Sequence, residues 1–163
     1  MSQLQVGDTL PDVSLYSLSD GRPKAINLAE LSRNKRLVLF AVPGAFTPTC
    51  SARHLPEFEQ QATAIKAFGI DEIICLSVND AWVMQAWGEQ LGVKQVRLLG
   101  DGNGQYSQAT QLTLDRQATG MGTRALRHAM IVDDQRVSWL ALDPSGLEHS
   151  SAEAVLKQLA AMS

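Results

Sequence analysis

Apolar positions along the chain fall into three rhythms. Leu37-Val38-Leu39-Phe40-Ala41-Val42 is a continuous apolar run of strand length, the pattern of a strand covered on both faces, and Ile73-Ile74-Cys75-Leu76-Ser77-Val78 reads as a second buried strand. Val13 to Leu18 alternates apolar and polar residues as a half-buried strand does, and Asp20-Gly21 ends it with turn chemistry. Leu55, Phe58, Ala62, Ile65 and Phe68 recur at helical steps, which predicts a long helix beginning near Thr49 and ending at Gly69. Asn27 is placed to cap a short helix through Leu28 and Leu31. Asn79 or Asp80 caps a helix carrying Trp82, Ala86 and Trp87 that Gly92 stops, and Ser150 or Ser151 caps a last helix through Val155, Leu156, Leu159 and Met162. Val96 to Leu99 reads as a short strand, and Ala129–Val132 with Val137–Leu142 reads as a hairpin across the four residues Asp133 to Arg136. Between Gly100 and Arg124 the chain is glycine-rich and polar, so an irregular excursion is expected there. This order of strands and helices predicts an α/β fold in which a central mixed sheet is flanked by helices on both faces.

Composition narrows the picture. With 163 residues, 45% of them hydrophobic and 19% charged, the chain is long and apolar enough for one domain over 1–163, and no repeat or linker divides it. Fourteen Lys and Arg against seventeen Asp and Glu give a net charge of −3 without a basic stripe, so neither nucleic acid nor a membrane surface is an expected partner. Met1 to Asp8 has neither a charged start nor an apolar run, and a cytoplasmic location is expected. Cys50 and Cys75, the two cysteines, are too few for a disulfide framework and lie in unlike surroundings.

Pro43-Gly44-Ala45-Phe46-Thr47-Pro48-Thr49-Cys50 runs from the end of an apolar strand into the first turn of a helix. Ligands collect at the carboxyl ends of strands in α/β sheets, and a helix N-terminus stabilises a thiolate through its unpaired N–H groups. Cys50 is therefore placed to act as a nucleophile; its alternative is a small buried hydrophobe. Thr47 lies three residues before it, so its hydroxyl and the Cys50 sulfur can face one volume and hold a small oxygenated substrate. Thr47 and Thr49 are also potential N-caps, Thr49 being the better placed for that. Thr47 occupies the position that the first cysteine of a Cys-x-x-Cys exchanger would need, which excludes a dithiol relay.

Pro43, Thr47 and Cys50 match the Pro-x-x-x-Thr-x-x-Cys signature of peroxiredoxins, and the text through Ser51, His54, Leu55 and Pro56 resembles their type II, or peroxiredoxin-5-like, branch. The likeness continues in Cys75–Asp80, Met84–Trp87 and Gly122–Met130. The resemblance implies a thioredoxin-like fold, reduction of hydrogen peroxide and alkyl hydroperoxides without metal or organic cofactor, and a homodimer. It gives Cys50 the peroxidatic role, sets Thr47 and Arg127 as its partners, and has Pro43 shield the site. A guanidinium suits that role, because attack on the O–O bond needs charge stabilised on sulfur and on the departing oxygen. Arg124 is the nearby rival and Arg53 the next; taken alone, Arg127 also reads as a surface ion pair.

Attack leaves Cys50 as a sulfenic acid that a thiol must return. Cys75, inside an apolar strand, reads as structural, and no cysteine follows Leu142, so an intramolecular disulfide is not expected. Glutathione with glutaredoxin is the expected electron donor, thioredoxin the other option. A redox sensor that relays Cys50 oxidation to a partner is the competing function. His54, one helical turn after Cys50, reads as a hydrogen-bonded structural histidine, with His128 and His149 isolated. Pro56 should loosen the turn that carries Cys50, which lets the sulfur open to a reductant. Asp101 to Gln105 is a turn rather than a calcium loop, and Trp82 and Trp87 are core or dimer-contact residues.

Overall fold

A computed structural model describes residues 2–163; Met1, the first residue of the expected domain span, lies outside it. The two apolar runs become adjacent parallel strands, β3 (Arg36–Ala41) and β4 (Glu72–Ser77), at the centre of a seven-stranded mixed sheet. With β1 (Ser14–Ser19), β2 (Arg22–Asn27), β5 (Val96–Gly100), β8 (Arg127–Asp133) and β9 (Arg136–Asp143), the sheet has the order β2-β1-β5-β4-β3-β8-β9. β3, β4 and β5 run parallel, and β8 returns antiparallel to β3.

Alternate residues of β3 feed two separate cores, as the period of two along a strand requires. Val38 and Phe40 pack with Leu55, Phe58, Ile65 and Trp87 under helices α2 (Leu55–Gln60), α3 (Ala62–Lys66), α4 (Ala81–Leu91) and α6 (Ala152–Met162). Leu37, Leu39 and Ala41 pack on the other face with Leu15, Leu28 and Tyr106, under α1 (Leu28–Ser32) and α5 (Gln105–Thr110). Helix starts follow the capping residues: Asn27 accepts from Glu30 N, Asp80 rather than Asn79 from Val83 N, and Ser151 rather than Ser150 from Ala154 N. Gly92 ends α4 at a φ of +68°, where a side chain would strain the backbone.

Three expectations are corrected, and one further strand is present. The region from Gly100 to Arg124 is ordered into α5 and a two-stranded hairpin of β6 (Thr113–Arg116) and β7 (Gly122–Ala125). The side chains of β6 and β7 are mostly exposed or half-buried, so these short strands carry little hydrophobic rhythm. β2, which the hydrophobic pattern does not predict, is an edge strand with mostly exposed side chains. β8 and β9 join through two residues rather than four, because Asp134 and Gln135 both take positive φ, 44° and 71°, and turn the chain at once. The long helix of residues 49–69 is bent: Cys50–His54 is a π-helical turn, and Gln61 leaves helical geometry while its N–H and carbonyl keep the bond ladder to Glu57 and Ile65.

The π turn has a covalent cause. Pro56 has no N–H to give to the carbonyl of Ala52, and the Leu55 N–H reaches back five residues to Cys50 O. At Pro56 the helix therefore has a wider turn beginning at Cys50.

Candidate active site

Strand register decides which side chains meet Cys50. Residues 42–47 leave the carboxyl end of β3, and Pro48 opens the helical turn that carries Cys50. β8 runs antiparallel to β3 with Ala41 opposite His128, so Arg127 stands at the same end of the sheet. Arg127 pairs with Asp143 of β9, which brings the loop before α6 there too.

Cys50 is fully buried and Arg127 nearly so. The Arg127 Nη2 donates to Cys50 Sγ at 3.3 Å, and no carboxylate among the described residues lies within ion-pair distance of this guanidinium. The surface-pair reading of Arg127 therefore fails. Arg53, the last of the three candidates, points to solvent and pairs with Glu57 at 3.8 Å.

Arg127 is aimed by His54. Its Nη1 donates to His54 Nδ1 at 2.7 Å, and because a guanidinium only donates, the ring proton sits on Nε2, which donates to the Ser150 carbonyl at 2.8 Å. Burial, reinforced by Arg127, lowers the His54 pKa to about 3, so the ring stays a neutral acceptor. The Asp143 carboxylate accepts from the N–H groups of Glu148, His149 and Ser150 and from the Ser150 hydroxyl, fixing the carbonyl on which His54 rests. His54 is structural in the expected sense, with a consequence that no local pattern disclosed. His54→Gln preserves an acceptor and a donor and should keep most of the peroxide rate. His54→Leu strands Arg127 Nη1 and should slow the reaction by about tenfold or more, at a stability cost of about 1–3 kcal/mol. Equal peroxide kcat/KM in the two variants would contradict this.

A second buried histidine sits beside Arg127 on the opposite face of β8. His128 Nδ1 donates to the Leu126 carbonyl at 2.7 Å, Nε2 accepts from Tyr106 Oη at 2.8 Å, and burial lowers its pKa to about 4. Unfolded histidines titrate near ~6.5, so in acid the unfolded chain binds protons that the folded chain refuses. The stability these two histidines provide is complete above that value and is lost as pH falls toward 4 and then 3. The urea midpoint should be lower at pH ~5 than at pH ~7; equal midpoints would contradict the assignment.

The loop opposite Arg127 is tied down from outside. Arg124 Nε donates to the Pro43 carbonyl at 2.6 Å and its Nη2 to Asn79 Oδ1 at 3.3 Å. Asn79 Oδ1 also accepts from Ala45 N at 3.0 Å and Ser77 Oγ at 2.6 Å. Thr47 Oγ1 donates to the Gly44 carbonyl at 2.6 Å and keeps acceptor capacity for a ligand. Thr49 makes no side-chain cap bond, contrary to expectation, since it already lies inside the turn with helical φ and ψ. Neither the Asn79 hub nor the grip of Arg124 on Pro43 leaves a sequence signature, because the partners lie tens of residues apart.

Cys75 faces the same core as Cys50, paired with Phe40 and Leu98 on the flanking strands. Burial first and the neighbouring Cys50 second push its thiol well above the ordinary range, which suits an inert side chain. Asp101 accepts from the N–H groups of Tyr106 and Ser107 and from the Ser107 hydroxyl, so it holds the start of α5. Trp87 is buried and donates to Ser51 Oγ at 2.9 Å, tying α4 to the π turn, whereas Trp82 is exposed.

Comparison with known proteins bears on this arrangement. Residues 5–156 match the Redoxin family. Peroxiredoxin-2E-2, chloroplastic, of Oryza sativa subsp. japonica is 45% identical over 166 residues, covering 98% of this chain and 74% of that protein. Peroxiredoxin-2B of Arabidopsis thaliana is 41% identical, covering 98% and 100%. Among solved structures, reduced Prx3 in complex with H2O2 from Vibrio vulnificus superposes with a TM-score of 0.93 at 41% identity, covering 96% of this chain and 99% of that one.

Proposed function

Since the chain belongs to the Redoxin family and is a peroxiredoxin, a thiol peroxidase of thioredoxin-like fold, we propose that Cys50 is its peroxidatic nucleophile, working in a one-cysteine cycle closed by an external thiol. The observation that carries this reading is the Arg127 guanidinium at 3.3 Å from the Cys50 sulfur, both buried at the carboxyl end of β3. The thiolate attacks one peroxide oxygen; an S–O bond forms, the O–O bond breaks, and the departing oxygen leaves as water or an alcohol after taking a proton. Arg127 stabilises charge that moves from sulfur to oxygen, Thr47 accepts from the peroxide, and Pro43 keeps bulk water from the sulfur.

The sulfenic acid then needs a reductant. Cys50 is fully buried and Cys75 sits in a central strand, so opening the π turn at Cys50 is the route by which a thiol gains access. Glutathione is small enough to enter, condense with the sulfenic acid and leave a mixed disulfide that glutaredoxin removes. Sustained peroxide loss with glutathione and glutaredoxin supports the cycle; oxidation that stops after one equivalent under every donor would instead support a sensor. We also place a homodimer contact at the exposed aromatic rings of Phe46 and Trp82. Light scattering should show a dimer at micromolar concentration that Trp82→Arg weakens, and a monomeric parent protein would remove it.

A further inference from the structure

Two guanidinium groups stand at the Pro43–Cys50 loop, one on the sulfur and one on the loop's outer wall. Arg127 is committed to Cys50 and His54. Arg124 is half-buried at the rim, where its Nη2 and the Thr47 methyl would lie 3.1 Å and 3.2 Å from a Cβ at Gly44, so it lines the same loop wall as Thr47. Its contacts are a carbonyl and an amide oxygen, neither of which carries charge, and a guanidinium has more donors than these two bonds use. No carboxylate among the described residues pairs with it. Partial burial lowers its pKa from the ordinary value, and the negative charge that opposes this is Cys50.

The charge balance therefore changes with the redox state. A Cys50 thiolate offsets one of the two cations; a neutral sulfenic acid offsets neither, and both arginines then face a site without an anion. We propose that Arg124 makes the oxidised site select small anionic thiols as reductants, so that oxidation of Cys50 itself draws in the negatively charged donor. This rests on the one-cysteine reading above. In the step, the donor thiolate sulfur bonds to the Cys50 sulfur, the S–O bond breaks, and the hydroxide released takes a proton from solvent to become water. The donor sulfur is oxidised and the Cys50 sulfur reduced, which gives a mixed disulfide. Glutathione, with two carboxylates and one ammonium, is a member of this class, and so is any carboxylate-bearing monothiol.

The test reduces peroxide-oxidised protein with monothiols of matched thiol acidity that are anionic, neutral or cationic, following mixed-disulfide formation by mass. The anionic thiol should react about five- to tenfold faster than the neutral one, with the cationic thiol slowest, and the preference should shrink as salt is added. Arg124→Gln should reduce the preference to about twofold or less, while Arg124→Lys, which also loses the forked grip on Pro43 and Asn79 but keeps the charge, should retain it. Equal rates for all three thiols, or a full preference surviving Arg124→Gln, would overturn the proposal. If glutathione fails to sustain turnover while anionic monothiols keep their advantage, the glutathione reading falls and this one stands.

Discussion

Replacing Cys50 with serine should abolish peroxide turnover and leave the fold in place. The Cys50 sulfur occupies a fully buried position in the core between β3 and the helices, accepting from Arg127 at 3.3 Å, and a serine hydroxyl fits the same volume with an acceptor in nearly the same place. What is lost is chemical: a hydroxyl at neutral pH is not ionised and does not attack an O–O bond, whereas a thiolate does. The expected loss in kcat/KM is at least about 10³-fold, the scale on which removal of an activated nucleophile acts. Circular dichroism and the urea midpoint should stay close to those of the parent protein. Retained turnover in Cys50→Ser would remove the mechanism.

Arg127→Met comes next in size. Methionine follows the arginine stem through the buried channel, so packing is largely kept, but the donor to Cys50 Sγ and the cation both disappear and His54 Nδ1 loses its partner. A charged donor aimed at developing charge in a buried site contributes about 10²- to 10³-fold, and that loss is expected in kcat/KM for peroxide. A second readout separates this from a packing defect: circular dichroism should keep the parent's fold while the peroxide rate falls. An unchanged peroxide rate would transfer the role to Arg124.

Apolar runs at residues 37–42 and 73–78, the second broken only by Ser77, mark the two central strands because burial on both faces leaves little room for polar positions. The Pro43-to-Cys50 segment was legible for a related reason: a strand end, a turn and a helix start are written in adjacent residues. Arg127, by contrast, reaches Cys50 only through the register of β8 against β3, which pairs Ala41 with His128 and Arg36 with Asp133, far apart in the chain, so that no local pattern encodes it. It was picked out by resemblance alone. His54 lay in plain view one turn beyond Cys50, yet its role depends on the Ser150 carbonyl and so on Asp143, both contributed by the far end of the chain. The hairpin of β6 and β7 is not legible because its mostly exposed or half-buried side chains leave no period-two pattern. Through Arg124 it reaches Pro43, and that contact gives the excursion a place in the site.

The one-cysteine cycle is decided by what becomes of the Cys50 sulfur after a single turnover. Intact-mass analysis after one equivalent of hydrogen peroxide, with and without glutathione, followed by peptide mapping, reads this directly. Without glutathione, one oxygen atom should be gained at Cys50; with it, one glutathionyl group should be found at the same residue, and Cys75 should be unmodified in both. A Cys50–Cys75 disulfide forming faster than the adduct, or an oxygen gained elsewhere while Cys50 stays a thiol, would contradict the one-cysteine cycle and the placement of chemistry at Cys50.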